Sequence, residues 1–312
     1  IPLVKDHLAT NHIKIYSIVK WKEDQFFLGT NGGVVLVNIK NKKTEVFEHD
    51  IRNKEKTISS GICRLVHKDK SGKIWFTTST GGLNILTQKE GKLSIIPYKY
   101  NNQILKESKD YITSIYQRGE NEYWFGTFGS GLIKWNEDSK SIRVFTKQNT
   151  GIPNNVIYGV LSVDDQDLWF STNKGLCCFN LDTYAAISYK EVNGLMSNEF
   201  NMNSYFKSKT GELYFGGISG YNFFDPKNLS QKNRDISVKF SKLKIDRNWI
   251  KPNVEDSPLS KPISQTTRLE LSYLQRNLTF QFISSDLSNP ELINYKYIPS
   301  HPYHFILSTL YY

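Results

Sequence analysis

Long apolar runs are missing from this sequence. No stretch approaches the roughly 18 residues that a membrane-crossing helix needs. The opening Ile1-Pro2-Leu3-Val4-Lys5-Asp6 turns polar too early for a secretory leader, so the sequence reads as a mature or excised piece. Cysteine is scarce. Cys63, Cys177 and Cys178 give no disulfide framework and no zinc spacing, and they read as small buried residues. Catalytic signatures are absent too: no Gly-x-Ser-x-Gly elbow, no phosphate loop and no His-Glu-x-x-His pair. The histidines His7, His12, His49, His67, His301 and His304 share no ligand spacing on a common element, and His301 and His304 fall in a stretch broken by proline. Asp164, Asp165 and Asp167 read as a polar turn rather than a general-acid pair. The expectation is a segment with no catalytic residue, no metal and no cofactor. An arginine-rich stripe is missing as well, so nucleic acid is not an expected direct partner.

Aromatics and glycine are present in a repeated phrase. It is clearest at Tyr123-Trp124-Phe125-Gly126-Thr127-Phe128-Gly129-Ser130-Gly131-Leu132. An aromatic opens a short apolar run, a small residue and a threonine close it, and a glycine turn leads to the next run. The aromatic anchors are Phe27, Trp75, Trp124, Trp169 and Tyr214, separated by 48, 49, 45 and 45 residues. The turn glycines are Gly32, Gly82, Gly131, Gly175 and Gly220. A period of roughly 40 to 50 residues with short strands inside it is the signature of propeller blades. The aromatic can wedge between neighbouring sheets, and the glycines supply the positive φ that a tight reversal needs.

A β-branched, alternating run precedes each of the first four anchors, beginning at Ile15, Ile62, Ile112 and Ile157. A fourth strand follows in most units, as at Thr44-Glu45-Val46-Phe47 and Ser141-Ile142-Arg143-Val144-Phe145. The predicted fold is all-β: a β-propeller over residues 1–228, with blades at about 12–50, 61–98, 110–147, 156–191 and 193–228, then a second domain over 236–312. There, Ser237 to Ile245 alternates cleanly as a half-buried strand, and Arg268 to Tyr273 and Asn277 to Ile283 are expected as the next strands. The net charge of +10 comes from lysines scattered through turns. It fits a solvated surface, and it would also attract an acidic glycan bearing uronate or sulfate.

These repeats resemble the regulator-propeller repeats in periplasmic sensor regions of Bacteroides-type hybrid two-component histidine kinases. The resemblance rests on the five phrases in register. It rests most on Gly194-Leu195, Asn198-Glu199-Phe200-Asn201 and Gly220-Tyr221-Asn222-Phe223-Phe224-Asp225-Pro226, which look like the last blade of such an array. Leu269-Glu270-Leu271, Asn277 to Phe282, Pro290 and Tyr295-Lys296-Tyr297 sit as residues of the small tyrosine-named Ig-like β-sandwich that follows in that family. The pattern departs after Tyr297, so the sandwich is expected to be incomplete or divergent at its end. The resemblance implies five blades of a seven-bladed propeller, with closure of the five units on themselves open as the alternative, and a periplasmic location. It implies a glycan-derived oligosaccharide as ligand, a homodimer, and relay through the sandwich to a kinase in control of polysaccharide-utilisation genes. Membrane contact would be made only by segments outside this sequence. It names no ligand-binding residue. A protein-interaction propeller and a propeller lyase stay open as alternatives; a lyase would need a His or Tyr beside a metal or carboxylate.

Overall fold

The computed structural model describes residues 13–53, 56–80, 82–98, 111–229, 238–272, 275, 277–284, 293–301 and 304–311, the last two stretches by backbone alone. The chain divides into two compact units after Leu229. In the first unit the strands form five antiparallel meanders. Sheet one holds β1 (Ile15–Lys22), β2 (Gln25–Thr30), β3 (Gly33–Asn38) and β4 (Lys43–Phe47). Sheet two holds β5 (Cys63–Lys68), β6 (Ile74–Thr78), β7 (Gly82–Lys89) and β8 (Lys92–Pro97). Sheet three holds β9 (Ile112–Arg118), β10 (Glu122–Thr127), β11 (Leu132–Asn136) and β12 (Ile142–Phe145). Sheet four holds β13 (Ile157–Ser162), β14 (Asp167–Thr172), β15 (Gly175–Asn180) and β16 (Ala186–Tyr189). Sheet five has three strands, β17 (Phe200–Lys207), β18 (Leu213–Gly217) and β19 (Gly220–Phe224). A short helical turn, Lys147–Thr150, is capped by Thr146 and ended by Gly151 in the left-handed conformation.

The first strands of successive sheets lie side by side, β1 on β5, β5 on β9, β9 on β13 and β13 on β17. Polar bridges run the same way. Val66 N donates to Ser17 Oγ at 2.9 Å, Thr77 Oγ1 to the Ile112 carbonyl at 2.9 Å, and Thr113 Oγ1 to the Ile157 carbonyl at 2.6 Å. Lys207 Nζ reaches the Ser162 carbonyl at 2.7 Å, and Asn203 Nδ2 reaches the Tyr16 carbonyl at 3.4 Å, linking the fifth sheet to the first. This is a propeller arrangement, with first strands at a shared axis.

Four apolar cores fill the spaces between consecutive sheets. Phe27, Val34 and Leu36 pack with Cys63, Val66 and Phe76; Trp75 and Leu83 with Ile115, Tyr123, Phe125 and Trp135. Trp124, Leu132 and Phe145 pack with Phe170, Cys177 and Phe179; Trp169 and Cys178 with Phe200, Leu213 and Phe215. Second strands of the sheets enclosed on both sides are therefore buried on both faces, which is why Ile74–Thr78 has no outward residue. The first four anchors point toward the next sheet. Phe27 meets Phe76 edge-on at 5.3 Å, Trp75 meets Tyr123 at 5.7 Å, Trp124 meets Phe179 at 5.9 Å and Trp169 meets Phe224 at 4.8 Å. Cys177 and Cys178 lie in different cores, on opposite faces of β15, and burial pushes both thiols up.

The turn glycines need one correction. In the first unit the left-handed residue is Gly33 (φ 108°), the first residue of β3, and not Gly32. Its equivalents Gly82, Gly131, Gly175 and Gly220 all have positive φ. Space enforces the choice as well as angle. A Cβ on Gly131 would stand 2.2 Å from the Phe145 carbonyl oxygen, and one on Gly175 2.2 Å from that of Tyr189, each on the fourth strand of its sheet.

The second unit holds β20 (Val238–Ile245), β21 (Asn248–Ile250) and β22 (Leu278–Ser284) in the order β21-β20-β22, and a hairpin of β23 (Ile293–His301) and β24 (His304–Tyr311). Leu243, Ile245, Leu259 and Ile263 make its core. The strand expected at Arg268 to Tyr273 does not form over residues 268–272, and Tyr273 lies outside the described residues. The alternating Leu269 and Leu271 are used as packing against that core instead of as a ladder. The stretch from Tyr295 onward, broken by proline in the sequence, pairs as a hairpin from Ile293↔Tyr311 to His301↔His304, with a register irregularity between Pro299 and His301. The tail before residue 13, the connector at 99–109 and the hinge at 230–236 lie outside the described residues.

Candidate functional site

The first strand of each sheet pairs on one side only, with its second strand, and in every sheet that pairing slips near the strand's start. Between Ile15↔Thr30 and Ser17↔Gly29 the extra residue is Tyr16. Arg64 is extra between Cys63↔Thr78 and Leu65↔Thr77, Thr113 in sheet three, and Tyr158 between Ile157↔Thr172 and Gly159↔Ser171. In sheet five the excursion is longer, between Phe200↔Gly217 and Tyr205↔Phe215, and within it Asn203 is left-handed at φ 59°. A bulge leaves its extra residue out of the ladder and re-aims the side chain. Five bulges at equivalent places thus present non-equivalent side chains at one end of the shared axis.

These side chains converge. The Arg64 guanidinium lies 4.4 Å from the centre of the Tyr16 ring and 5.8 Å from that of Tyr111. Its Nε donates to Ser79 Oγ at 3.0 Å. Tyr111 stacks on Phe128 at 5.1 Å, and Phe128 leans on Tyr158 at 6.4 Å. Tyr111 Oη contacts Met202 Sδ at 3.3 Å, crossing from sheet three to sheet five. Tyr16, Tyr111 and Tyr158 are half-buried, while Phe128, Asn201 and Asn203 are exposed. Burial raises the Tyr111 phenol, with the Arg64 charge opposing; burial, then the nearby Glu199 carboxylate, raises that of Tyr158. Both therefore stay protonated donors near neutrality. Partly exposed aromatic faces with amides and one guanidinium suit a ligand that offers apolar ring faces and hydroxyls.

A second polar cluster is structural. Asp69 Oδ2 accepts from Trp75 Nε1 at 2.8 Å and Tyr123 Oη at 2.9 Å, and its Oδ1 accepts from Ser71 and the Lys73 backbone. Burial alone would raise this carboxyl, but the hydrogen bonds together hold it below the usual range. Lys73 Nζ and Tyr98 Oη complete the network at Glu137. The carboxylate thereby fastens sheet two to sheet three.

The sequence named repeat anchors and no ligand contacts. Of the anchors, Phe27, Trp75, Trp124 and Trp169 are buried between sheets, whereas Tyr214 stands on an exposed face with Tyr221 and Phe223. Asp164 and Asp165 occupy the β13–β14 turn and Asp167 opens β14; Asp165 accepts from Tyr116 Oη and Lys70. His49 Nδ1 lies 2.7 Å from the Ile58 carbonyl, and His67 is partly buried with its Nε2 enclosed. Among the described residues no group of three His, Cys, Asp or Glu side chains could hold a metal ion. The axial residues Tyr16, Thr113 and Tyr158 each follow an isoleucine at the start of a β-branched run, but nothing in the sequence sets that position apart from the next.

No family model matches the chain. It is 26% identical over 243 residues to the histidine kinase P4 of Formosa agariphila, a match covering 77% of this chain and 17% of that one. In fold it is similar to the crystal structure of the extracellular domain of a putative hybrid two-component system from B. thetaiotaomicron, at TM-score 0.68 and 21% identity, over 96% of this chain and 40% of that one. A second such extracellular domain from the same organism gives TM-score 0.52 and 19% identity over 97% of this chain and 40% of that one. Among the described residues no helix is long and apolar enough to cross a membrane. The chain is thus similar in sequence to a small part of a histidine kinase, and in fold to less than half of the extracellular domains of hybrid two-component systems.

Proposed function

We propose that this chain is part of the periplasmic sensor region of a two-component histidine kinase, and that the axial cluster is where it meets a glycan-derived oligosaccharide. The observation that carries the reading is the set of five bulges, which bring Tyr16, Arg64 and Tyr158 together with Tyr111, Phe128, Met202 and Asn203 at one end of the axis. Sugar rings stack on aromatic faces, and amides and phenols satisfy their hydroxyls. In this reading the segment performs no catalysis. Binding shifts the sensor, acting as a homodimer, only as far as the ligand prefers one arrangement over the other. The second unit relays that preference toward the kinase, which controls polysaccharide-utilisation genes.

The test is a thermal-shift and calorimetric screen of the 312-residue chain against an oligosaccharide panel, repeated with Phe128→Ala. Saccharide binding that Phe128→Ala weakens supports the reading. Binding that persists unchanged in that variant places the ligand elsewhere, and no response to any saccharide overturns the reading.

A further inference from the structure

We infer that the axial cluster selects an acidic saccharide, with the ligand's carboxylate or sulfate on the Arg64 guanidinium and a sugar ring against Phe128 and Tyr158. The inference rests on the reading of this cluster as a saccharide site and narrows it to one chemical class.

Arg64 is partly buried, and among the described residues no carboxylate pairs with it. Other partly buried cations of the propeller are matched: Arg118 to Asp182 at 2.9 Å, Lys134 to Glu122 at 2.7 Å, Lys73 to Glu137 at 2.8 Å. Taking a cation out of water without a counter-charge is costly, and the two tyrosine rings offset only part of that cost. A preformed cation of this kind favours an anion that arrives from outside.

The guanidinium is also pre-oriented. Ser79 Oγ holds Nε, and the guanidinium carbon lies over the Tyr16 and Tyr111 rings. Among the described residues the two terminal nitrogens have no hydrogen-bond partner and form a fork, which matches the paired oxygens of a carboxylate or sulfate and gains strength from the charge. Its rotamer is already restricted, so binding loses less side-chain entropy.

The surroundings limit the ligand to few charges. Among the described residues Arg64 is the only cation in the contacts that build this cluster, so the site offers a single counter-charge to an incoming anion. A nucleic-acid strand, with one phosphate per nucleotide, fits such a site poorly. A saccharide with one acidic group beside neutral rings fits: the acid on Arg64, an apolar ring face on Phe128, and a hydroxyl toward Asn203.

The test is titration calorimetry on the whole chain with a disaccharide containing glucuronic acid, a sulfated disaccharide, the matching neutral disaccharide, sodium sulfate and a short oligothymidylate. The expected result is binding of at least one acidic disaccharide about tenfold or more tighter than the neutral one, with sodium sulfate weaker still, since it lacks the ring. Arg64→Gln should remove that preference, bringing the acidic and neutral disaccharides to within about twofold of each other in the same variant, and Arg64→Lys should retain part of it. Equal affinity for acidic and neutral disaccharides in the unaltered chain overturns the anion assignment while the saccharide reading survives. Absence of binding by every disaccharide overturns both. Tighter binding of oligothymidylate, or of sodium sulfate alone, overturns the ligand class. The comparison of ligands on the unaltered chain needs no variant, so a failure of Arg64→Gln to fold leaves the test intact.

Discussion

Trp124 and Tyr214 occupy the same place in their sheets and have opposite fates. Trp124, on the second strand of sheet three, is closed over by Phe170, Phe179 and Leu168 of sheet four. Tyr214, on the second strand of sheet five, stacks among the described residues only on its own sheet, on Phe206, Tyr221 and Phe223. Those three are 63%, 62% and 59% exposed. The repeat unit specifies an aromatic face, and what the face contributes depends on whether another sheet covers it. The same side chain is a structural wedge in one context and a solvated patch in the other.

The sharpest way to test this contrast is to truncate both anchors. Trp124→Ala should destabilise the propeller by about 3 to 5 kcal/mol, because it removes a large ring and leaves a cavity between two sheets. Tyr214→Ala should cost about 1 kcal/mol or less, because no second sheet loses contacts. Urea unfolding of the two variants reads both numbers, and equal losses would break the contrast.

Next in size is the polar clamp inside a covered interface. Asp69→Ala leaves Trp75 Nε1 and Tyr123 Oη without their shared acceptor, and an abandoned buried donor costs about 1 to 3 kcal/mol. We expect a loss of about 3 kcal/mol for the pair in denaturant unfolding. The fifth sheet offers a control, since its exposed Thr210 bonds with Glu212 and Thr210→Ala should change stability by less than about 0.5 kcal/mol.

The wedges were legible in the sequence because each blade makes the same demand of them: Trp75, Trp124 and Trp169 recur in phase since each must fill the gap to the next sheet. The bulges were not. Whether Arg64 or Leu65 is the extra residue depends on its register against Thr77 and Thr78 of another strand, and alternation in one strand carries no record of that slip. The turn glycine was misplaced by one residue for the same reason, because Gly32 and Gly33 are equivalent until the Phe47 carbonyl is in place. Leu269 and Leu271 alternate as a strand does, yet a ladder needs a free partner edge, which the sequence does not display.

A covered interface should also respond to acid. His67 faces Trp75 in register, with Nε2 buried and unpartnered among the described residues. Burial lowers its pKa from 6.5 to about 4, with the Asp69 charge opposing. The folded state therefore keeps the ring neutral in a range where the unfolded chain takes up a proton. Between about pH 6.5 and 4 the unfolded state binds more protons, so stability falls as pH falls and this contribution levels off below 4. The shift corresponds to about 3 kcal/mol across the full window, and to about 2 kcal/mol by pH 5. His67→Gln should flatten that part of the stability–pH curve, and an unchanged slope would remove His67 as its source.

The smallest effect belongs to the uncovered face. Phe206→Ser, Tyr221→Ser and Phe223→Ser should each change stability by less than about 0.5 kcal/mol, because the rings are already in water. Their effect should appear in association instead. A contiguous patch of exposed aromatics on an outer sheet face promotes self-contact at high concentration. Sedimentation velocity over a concentration series should therefore show weaker self-association in the triple variant than in the unaltered chain. A large loss of stability in any single variant would mean that these rings are covered after all, and the difference between Trp124 and Tyr214 would then be one of degree.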